Sequence, residues 1–366
     1  MLDVILNTII LIISLIIVIK AADVFIENIS LIGAALGVSQ ILLGVTAAAI
    51  GTSLPEFGSA LLAIINHSSH MGVGIVIGSN IWNIAGIFGI TAIITGFVKA
   101  DKKSLNRDGL VAIITGVLLI VVMILSAKFT NPSLLSNGEI GIVSSNMPII
   151  FGSLIMAFFY LYYFKILIKD QKESLNSFKK ESAKRIDDRQ EIILDSSFNG
   201  NNNINKLEEK KEKLKSKNVI LVLVSILALA IACDFLIDSA THLAHIMGIP
   251  ETIMALFTLS IGTSIPELVV TLSSAMKGLY DLSIGTVFGS ITFNILIPIG
   301  LLSIFNPIHI ETLSLYFDTP VMILTIVVVI ILFKLNNREL NRISGLFLIG
   351  LYIVYAYVRI FFLGGM

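Results

Sequence analysis

Cysteine is nearly absent from this chain. Cys233 is the single one in 366 residues, which excludes an intramolecular disulfide and any multi-cysteine metal site. It reads as a small apolar residue within a helix. Charge is scarce too. Only 14% of residues are charged and 55% are hydrophobic, which excludes an ordinary soluble domain. The formal net charge is zero, so bulk charge points to no nucleic acid and no acidic partner. The apolar stretches lack period-2 alternation, which argues against a β-barrel. No basic segment precedes the first apolar stretch and no cleavage site is evident after it, so it is expected to be a true span.

Long apolar runs are what the chain has instead. Several exceed the roughly 20 residues that a helix needs to cross the hydrocarbon core. Spans are expected at about 3–30, 40–65, 72–97, 109–127 and 140–165, and again at about 218–240, 251–276, 282–305, 317–335 and 343–363. The fold class is an all-α polytopic membrane protein with ten transmembrane helices. Residues 166–217 are dense in Lys, Glu, Asp, Ser and Asn and cannot bury enough apolar area to fold alone. They are expected to form a solvated linker between a first repeat (1–165) and a second (218–366).

Lys99, Lys102, Lys103 and Arg107, the linker, Lys277, and Lys334, Arg338 and Arg342 fall on one side of a ten-span model. Lys128 is the main exception on the other. The basic side is expected to be cytoplasmic, with both termini outside, in a cell membrane.

Two stretches repeat. Gly51-Thr52-Ser53-Leu54-Pro55-Glu56 matches Gly262-Thr263-Ser264-Ile265-Pro266-Glu267, an offset of 267 − 56 = 211 residues. The same offset carries Asp23 onto Asp234, Gly37 onto Gly248, Gly74 onto Gly285, Gly78 onto Gly289, Ser79 onto Ser290 and Asn83 onto Asn294, without gaps. Each half holds five spans, an odd number, so the second enters the membrane inverted. Inverted repeats are a transporter architecture with the substrate site near the midplane.

Each repeated stretch places a carboxyl in a membrane segment, at a cost of roughly 2.5–3.5 kcal/mol on insertion scales. Thr52 and Glu56 are four apart and share a helix face, as do Thr263 and Glu267. Pro55 and Pro266 have no N–H, so the carbonyls of Gly51 and Gly262 lose their usual partners. Ser79 and Asn83, and Ser290 and Asn294, form a second four-residue pair in each half. Hydroxyls, amides, free carbonyls and carboxylates are all oxygen donors, which suit hard cations. No His or Cys sits nearby to favour a softer metal.

The paired Gly-Thr-Ser-Leu-Pro-Glu and Gly-Ser-Asn-x-x-Asn motifs resemble the α-repeats of the Na⁺/Ca²⁺ exchanger family, within the cation/Ca²⁺ antiporter superfamily. The likeness is closest to its prokaryotic ten-helix members, and it covers both halves but not the linker. The resemblance implies exchange of Ca²⁺ for Na⁺ by alternating access, with those ions as substrates, no cofactor and no enzymatic activity. It implies that Glu56 and Glu267 coordinate Ca²⁺ and take part in Na⁺ sites, and that Thr52 and Thr263 supply main-chain carbonyls to Ca²⁺. It implies flanking Na⁺ sites lined by Ser53, Ser264, Ser79 and Ser290 with the backbone carbonyls of Ala49 and Ser260. Asn83 and Asn294 would complete the centre, and the first and sixth helices would slide across the others. A monomer in the bilayer without an obligate protein partner is expected.

The chain departs from the family in having Asn294 where Asp is frequent, which leaves two central carboxylates. Ile75 and Thr286 stand where many relatives have Asn, and Ser260 stands for a more usual Ala. Exchange coupled to H⁺, or of Mg²⁺ or another cation, is the alternative on the same scaffold. A channel is a further class. An intramembrane enzyme would need partners that Ser53 and Glu56 lack. Asp23, Glu27, Asp234 and Asp238 read either as solvated surface acids or as an entry funnel. His242 and His245 are expected in an external loop without a metal role.

Overall fold

The structure is a computed structural model that describes residues 2–35, 51–66, 68–129, 139–142, separate positions within 155–169, 216–301 and 308–363. In chain order its elements are α1 (Leu2–Ala35), α2 (Leu54–Ile65), α3 (Ser69–Thr95), β1 (Phe97–Lys99), α4 (Lys102–Phe129) and β2 (Glu139–Ile142). The second half gives α5 (Ser216–Met247), α6 (Glu251–Thr263), α7 (Ile265–Met276), α8 (Tyr280–Asn294), β3 (Ile308–Glu311), α9 (Ser314–Leu335), β4 (Glu339–Asn341) and α10 (Arg342–Phe362). Among the described residues seven helices are long and apolar enough to cross a membrane, or eight if α6 and α7 form one bent span. The first part of the second expected span, most of the fifth, and nearly all of the 166–217 linker lie outside the described residues.

Burial separates the helices into a centre and a margin. In α3 89% of the membrane window is buried inside the protein, against 22% in α1 and 28% in α5. α1 and α5 pack along each other, and their outer faces, such as Ile9, Ile12, Ile13, Leu223 and Leu227, stay exposed to suit lipid. α1 has 34 residues, about 51 Å at 1.5 Å per residue, so it must tilt or project beyond a hydrocarbon core of about 30 Å. Their shared inner face joins Leu11, Val18, Cys233, Leu236 and Ile237 to Met71, Ile75 and Ala255 of α3 and α6. Cys233 is buried there, with the Ser59 hydroxyl donating to its sulfur at 3.6 Å.

The structure redraws several expected boundaries. The spans expected to run unbroken through Ser53 and Ser264 are interrupted at those residues. Ser53 (φ −84°, ψ 4°) and Ser264 (φ −85°, ψ 10°) leave the helical conformation, and α6 meets α7 at 44°. The cause is the proline in the first turn of each following helix, which withholds an N–H from the preceding turn. Residues 139–142 begin as a strand where the fifth span was expected to start, and Phe97 is a strand residue, not the end of the third span. α5 continues to Met247, so His242 and His245 lie on a helix and not in a loop. It stops where Gly248 adopts φ +64°, two residues before Pro250.

Two antiparallel ribbons join the repeats. β1 pairs with β4, with Val98 opposite Leu340, and β2 pairs with β3, with Ile140 opposite Ile310. Each ribbon takes one strand from each half of the chain. The two lie at opposite ends of α9, whose 22 residues run between β3 and β4. The β1–β4 end also holds the Lys99–Glu339 pair at 3.1 Å and the Phe97–Tyr280 ring contact beside the α7–α8 turn. The basic loops around Lys99, Lys277 and Arg338 therefore share one end of the protein. At the other end Glu251 accepts from His70 at 3.1 Å and lies 3.2 Å from His245, tying α6 to α3 and α5.

Small residues set the central packing. A Cβ on Gly78 would collide with the Leu256 carbonyl and the Ser260 hydroxyl, and one on Gly74 would come within 2.9 Å of the Ala255 Cβ. Gly285, the repeat mate of Gly74, has open space around it. Glycine at the two matched positions therefore meets a packing need in one repeat only. Near the β2–β3 end, Arg359 is almost wholly buried. Its Nε lies 3.1 Å from Asp318 Oδ1 and its Nη2 2.6 Å from Glu311 Oε2. Tyr355 donates its hydroxyl to Asp318 at 3.0 Å.

Gly78→Ala should cost about 1–3 kcal/mol through overpacking, read as a lower melting temperature in detergent, while Gly285→Ala should be close to neutral. Arg359→Met should cost about 3–5 kcal/mol because it strands the buried Asp318 charge. The double variant Arg359→Met, Asp318→Leu should recover much of that loss, and additive losses would contradict the pairing.

Candidate functional site

Each broken helix presents a carboxyl at the start of its second half. Glu56 lies in the first turn of α2 and Glu267 in the first turn of α7, next to the proline. The N-terminal end of a helix carries partial positive charge and favours an acid there. Both side chains are fully buried.

The breaks bring the repeats together in a reciprocal pattern. Ser53 Oγ donates to Glu267 Oε1 at 3.0 Å, and Ser264 Oγ donates to Glu56 Oε1 at 2.7 Å. The second bond is the first carried through the 211-residue offset. Each serine serves the carboxyl of the other repeat, not the one three residues further along its own chain. Ser290 Oγ adds a longer contact to Glu267 Oε1 at 3.4 Å.

Other polar groups of the repeated motifs are buried without protein partners. Glu56 Oε2, Glu267 Oε2, Ser79 Oγ and both amide atoms of Asn83 and Asn294 are buried and make no hydrogen bond. Buried polar groups are normally paired, so a cluster of unpaired oxygens calls for an ion or water. The carboxyls also lack a buried counter-charge. Among the described residues the one buried cation is Arg359, which Asp318 and Glu311 already hold. Two carboxyls in a low-dielectric interior then need cations or protons from outside the protein. Oxygen-only donors favour a hard cation. Among the described residues no cluster of His, Cys, Asp and Glu has the form of a separate metal site.

Most residues singled out in the sequence are buried, and five of them are in contact: Ser53, Ser264 and Ser290 with Glu56 and Glu267. Thr52, Ser53, Glu56, Ser79, Asn83, Thr263, Ser264, Glu267, Ser290 and Asn294 are all buried, and the serine–glutamate contacts link the halves. The Thr263 hydroxyl donates to the Leu259 carbonyl at 2.9 Å. The Ser260 hydroxyl lies 2.7 Å from the Ala255 carbonyl and 3.0 Å from that of Ile75, so it fastens α6 to α3. Ala49 lies outside the described residues. Asp23, Glu27, Asp234 and Asp238 stay on exposed faces of α1 and α5, with Asp23 3.9 Å from Lys20 and Asp234 accepting from Asn66 at 2.9 Å. One π-helical turn, Trp82–Ile87, contains Asn83, and another, Ile295–Leu301, directly follows Asn294. Such turns are frequent at functional sites.

Two features escaped the sequence reading. Asn80 is fully buried with neither amide atom paired, and the Arg359–Asp318 cluster was unforeseen. A signal existed for both: an amide whose repeat mate is Ile291, and opposite charges within two otherwise apolar final spans.

Glu56→Gln should leave the cation-free protein with an equal or higher melting temperature, since one of two facing buried acids is removed. It should also abolish any stabilisation that an added hard cation gives the native chain, about 2.7 kcal/mol at a hundredfold excess over Kd. A native melting temperature indifferent to both Ca²⁺ and Na⁺ would count against a cation centre.

Comparison with known proteins agrees with this geometry. The family model described as sodium/calcium exchanger protein matches residues 6–169 and 217–361. The sodium/calcium exchanger MaX1 of Methanosarcina acetivorans is 31% identical over 356 residues, which cover 96% of this chain and 98% of that protein. Inner membrane protein YrbG of Escherichia coli is 26% identical over 353 residues, covering 96% and 95%. A structure of the sodium–calcium exchanger NCX_Mj soaked with Na⁺ and Sr²⁺ superposes with a TM-score of 0.57 at 21% identity, covering 96% of this chain and 98% of that one. The fold is thus the all-α, inverted-repeat membrane fold read from the sequence. By the match of its whole membrane region, the chain belongs to the sodium/calcium exchanger family.

Proposed function

We propose that this protein is a secondary active antiporter that exchanges Ca²⁺ for Na⁺ across the cell membrane by alternating access. The observation that carries the reading is the buried pair Glu56 and Glu267, whose Oε2 atoms have no hydrogen-bond partner and which, among the described residues, have no buried counter-cation. Two ionised carboxylates balance one Ca²⁺. Three Na⁺ in the same space would leave one net positive charge, which permits electrogenic exchange.

In this reading Glu56 and Glu267 hold Ca²⁺ together with the main-chain carbonyls of Thr52 and Thr263. Asn83 and Asn294 complete the centre with neutral amide oxygens. Ser53, Ser264, Ser79 and Ser290, with the carbonyls of Ala49 and Ser260, line the flanking Na⁺ positions. Occupancy by either ion relieves the repulsion between the acids, so the centre favours being filled. α1 and α5 slide across the other helices to expose it to one side and then the other. No cofactor, catalytic chemistry or obligate protein partner is needed. The abundance of Lys and Arg in the loops of the β1–β4 end supports a cytoplasmic location for that end and for the 166–217 linker, with both termini outside. Asn294 in place of an acid favours one rival on the same scaffold, in which H⁺ is the coupling ion.

Proteoliposomes holding an outward Na⁺ gradient should take up ⁴⁵Ca²⁺, and Glu56→Gln or Glu267→Gln should each reduce that uptake to background. Uptake that survives both substitutions would remove the two acids from the site. Uptake driven equally well by a pH gradient without Na⁺ would select the proton-coupled rival.

A further inference from the structure

The two halves of the centre are not chemically equal. Beside Glu267, the Ser290 hydroxyl is engaged with the carboxyl at 3.4 Å, and the next residue, Ile291, is apolar and needs no partner. In the first repeat the residues that match Ser290 and Ile291 are Ser79 and Asn80. Both are fully buried, and the Ser79 hydroxyl and both Asn80 amide atoms have no hydrogen-bond partner. Sealing such groups away from water without a partner is costly, and more so for two adjacent residues.

Their position says where the missing partner would sit. At about 100° per residue, Asn83 lies about 40° and Asn80 about 100° around the helix from Ser79. Asn83, a central residue by the reading above, falls between the two. Ser79, Asn83 and Asn80 thus form one arc on α3, and each presents an unpaired polar atom. The second repeat has only Ser290 and Asn294 on the equivalent arc.

We infer that Asn80 is a third amide of the ion centre, supplied by the first repeat alone, and that it gives the flank beside Glu56 an extra neutral oxygen for a monovalent hard cation, Na⁺. The inference rests on the proposed exchange reaction and deepens it. The flank beside Glu56 is the stronger Na⁺ position, and the flank beside Glu267 is the weaker one. A neutral amide oxygen adds a ligand without adding charge, so it supports Na⁺ binding and leaves the balance between two carboxylates and one Ca²⁺ unchanged.

The test compares two reactions of the purified full-length protein in proteoliposomes: Na⁺-driven ⁴⁵Ca²⁺ transport and Na⁺-free Ca²⁺–Ca²⁺ exchange. Asn80→Ile, which copies the second repeat, should raise the half-saturating Na⁺ concentration at least about fivefold and lower the Na⁺ Hill coefficient. The half-saturating Ca²⁺ concentration of Ca²⁺–Ca²⁺ exchange should rise by a clearly smaller factor than that for Na⁺. Asn80→Asp keeps the shape and an oxygen, so it should retain native or tighter Na⁺ dependence and remains informative if the isoleucine variant does not fold. An unchanged Na⁺ dependence in Asn80→Ile, an equal loss of both reactions, or weakened Na⁺ dependence in Asn80→Asp would overturn the inference. Absence of Na⁺-driven transport in the native protein would instead overturn the exchange reaction on which it rests.

Discussion

Two carboxyls facing one another in the middle of a membrane protein are the constraint on which the structure turns. Water that would solvate them is excluded, and the one buried cation among the described residues is committed elsewhere. What the protein supplies directly is a pair of serine hydroxyls, one from each repeat, given to the other repeat's acid. Those bonds fix the carboxyls in place without neutralising them. Charge neutrality is left to whatever ion arrives, and that incompleteness is what a carrier needs of its binding site.

The local sequence explains how such a site can be built at depth. A proline in the first turn stops the preceding helix and starts a new one, whose N-terminal end favours the adjacent glutamate. The serine at the break reaches across to the acid of the other repeat. Glycines on α3 let that helix sit against α6 closely enough for the two breaks to meet. The same six residues, used twice in opposite orientation, yield a centre with approximate two-fold symmetry. The symmetry is broken where the flanking helices differ, at Asn80 against Ile291.

Much of this was legible in the residues. A fixed offset linking acids, hydroxyls and amides in apolar surroundings has few physical explanations other than a shared intramembrane site. The inverted repeat followed from an odd number of spans. The angle at Ser53 and Ser264 was less legible, because proline announces a weakened turn but not the direction in which the chain leaves it. Helical spacing also placed Thr52 over Glu56, whereas the decisive contacts run between repeats, at separations no periodicity can report. The Arg359–Asp318 pair was hidden for a different reason. Its members are 41 residues apart and fall outside the repeated motifs, so only the folded chain joins them. The ends of α5 and of the third span were misjudged because apolar content defines what fits in a bilayer, and a helix can outrun it.

The two ribbons carry a mechanical consequence. A strand of each repeat is stapled to a strand of the other at both ends of α9. A pair of bodies pinned to each other at top and bottom cannot rock as independent halves. The stapled helices behave as one chassis, and the shutter has to be a part that no ribbon holds. α1 and α5 pair with each other and, among the described residues, carry no strand, so neither ribbon restrains them.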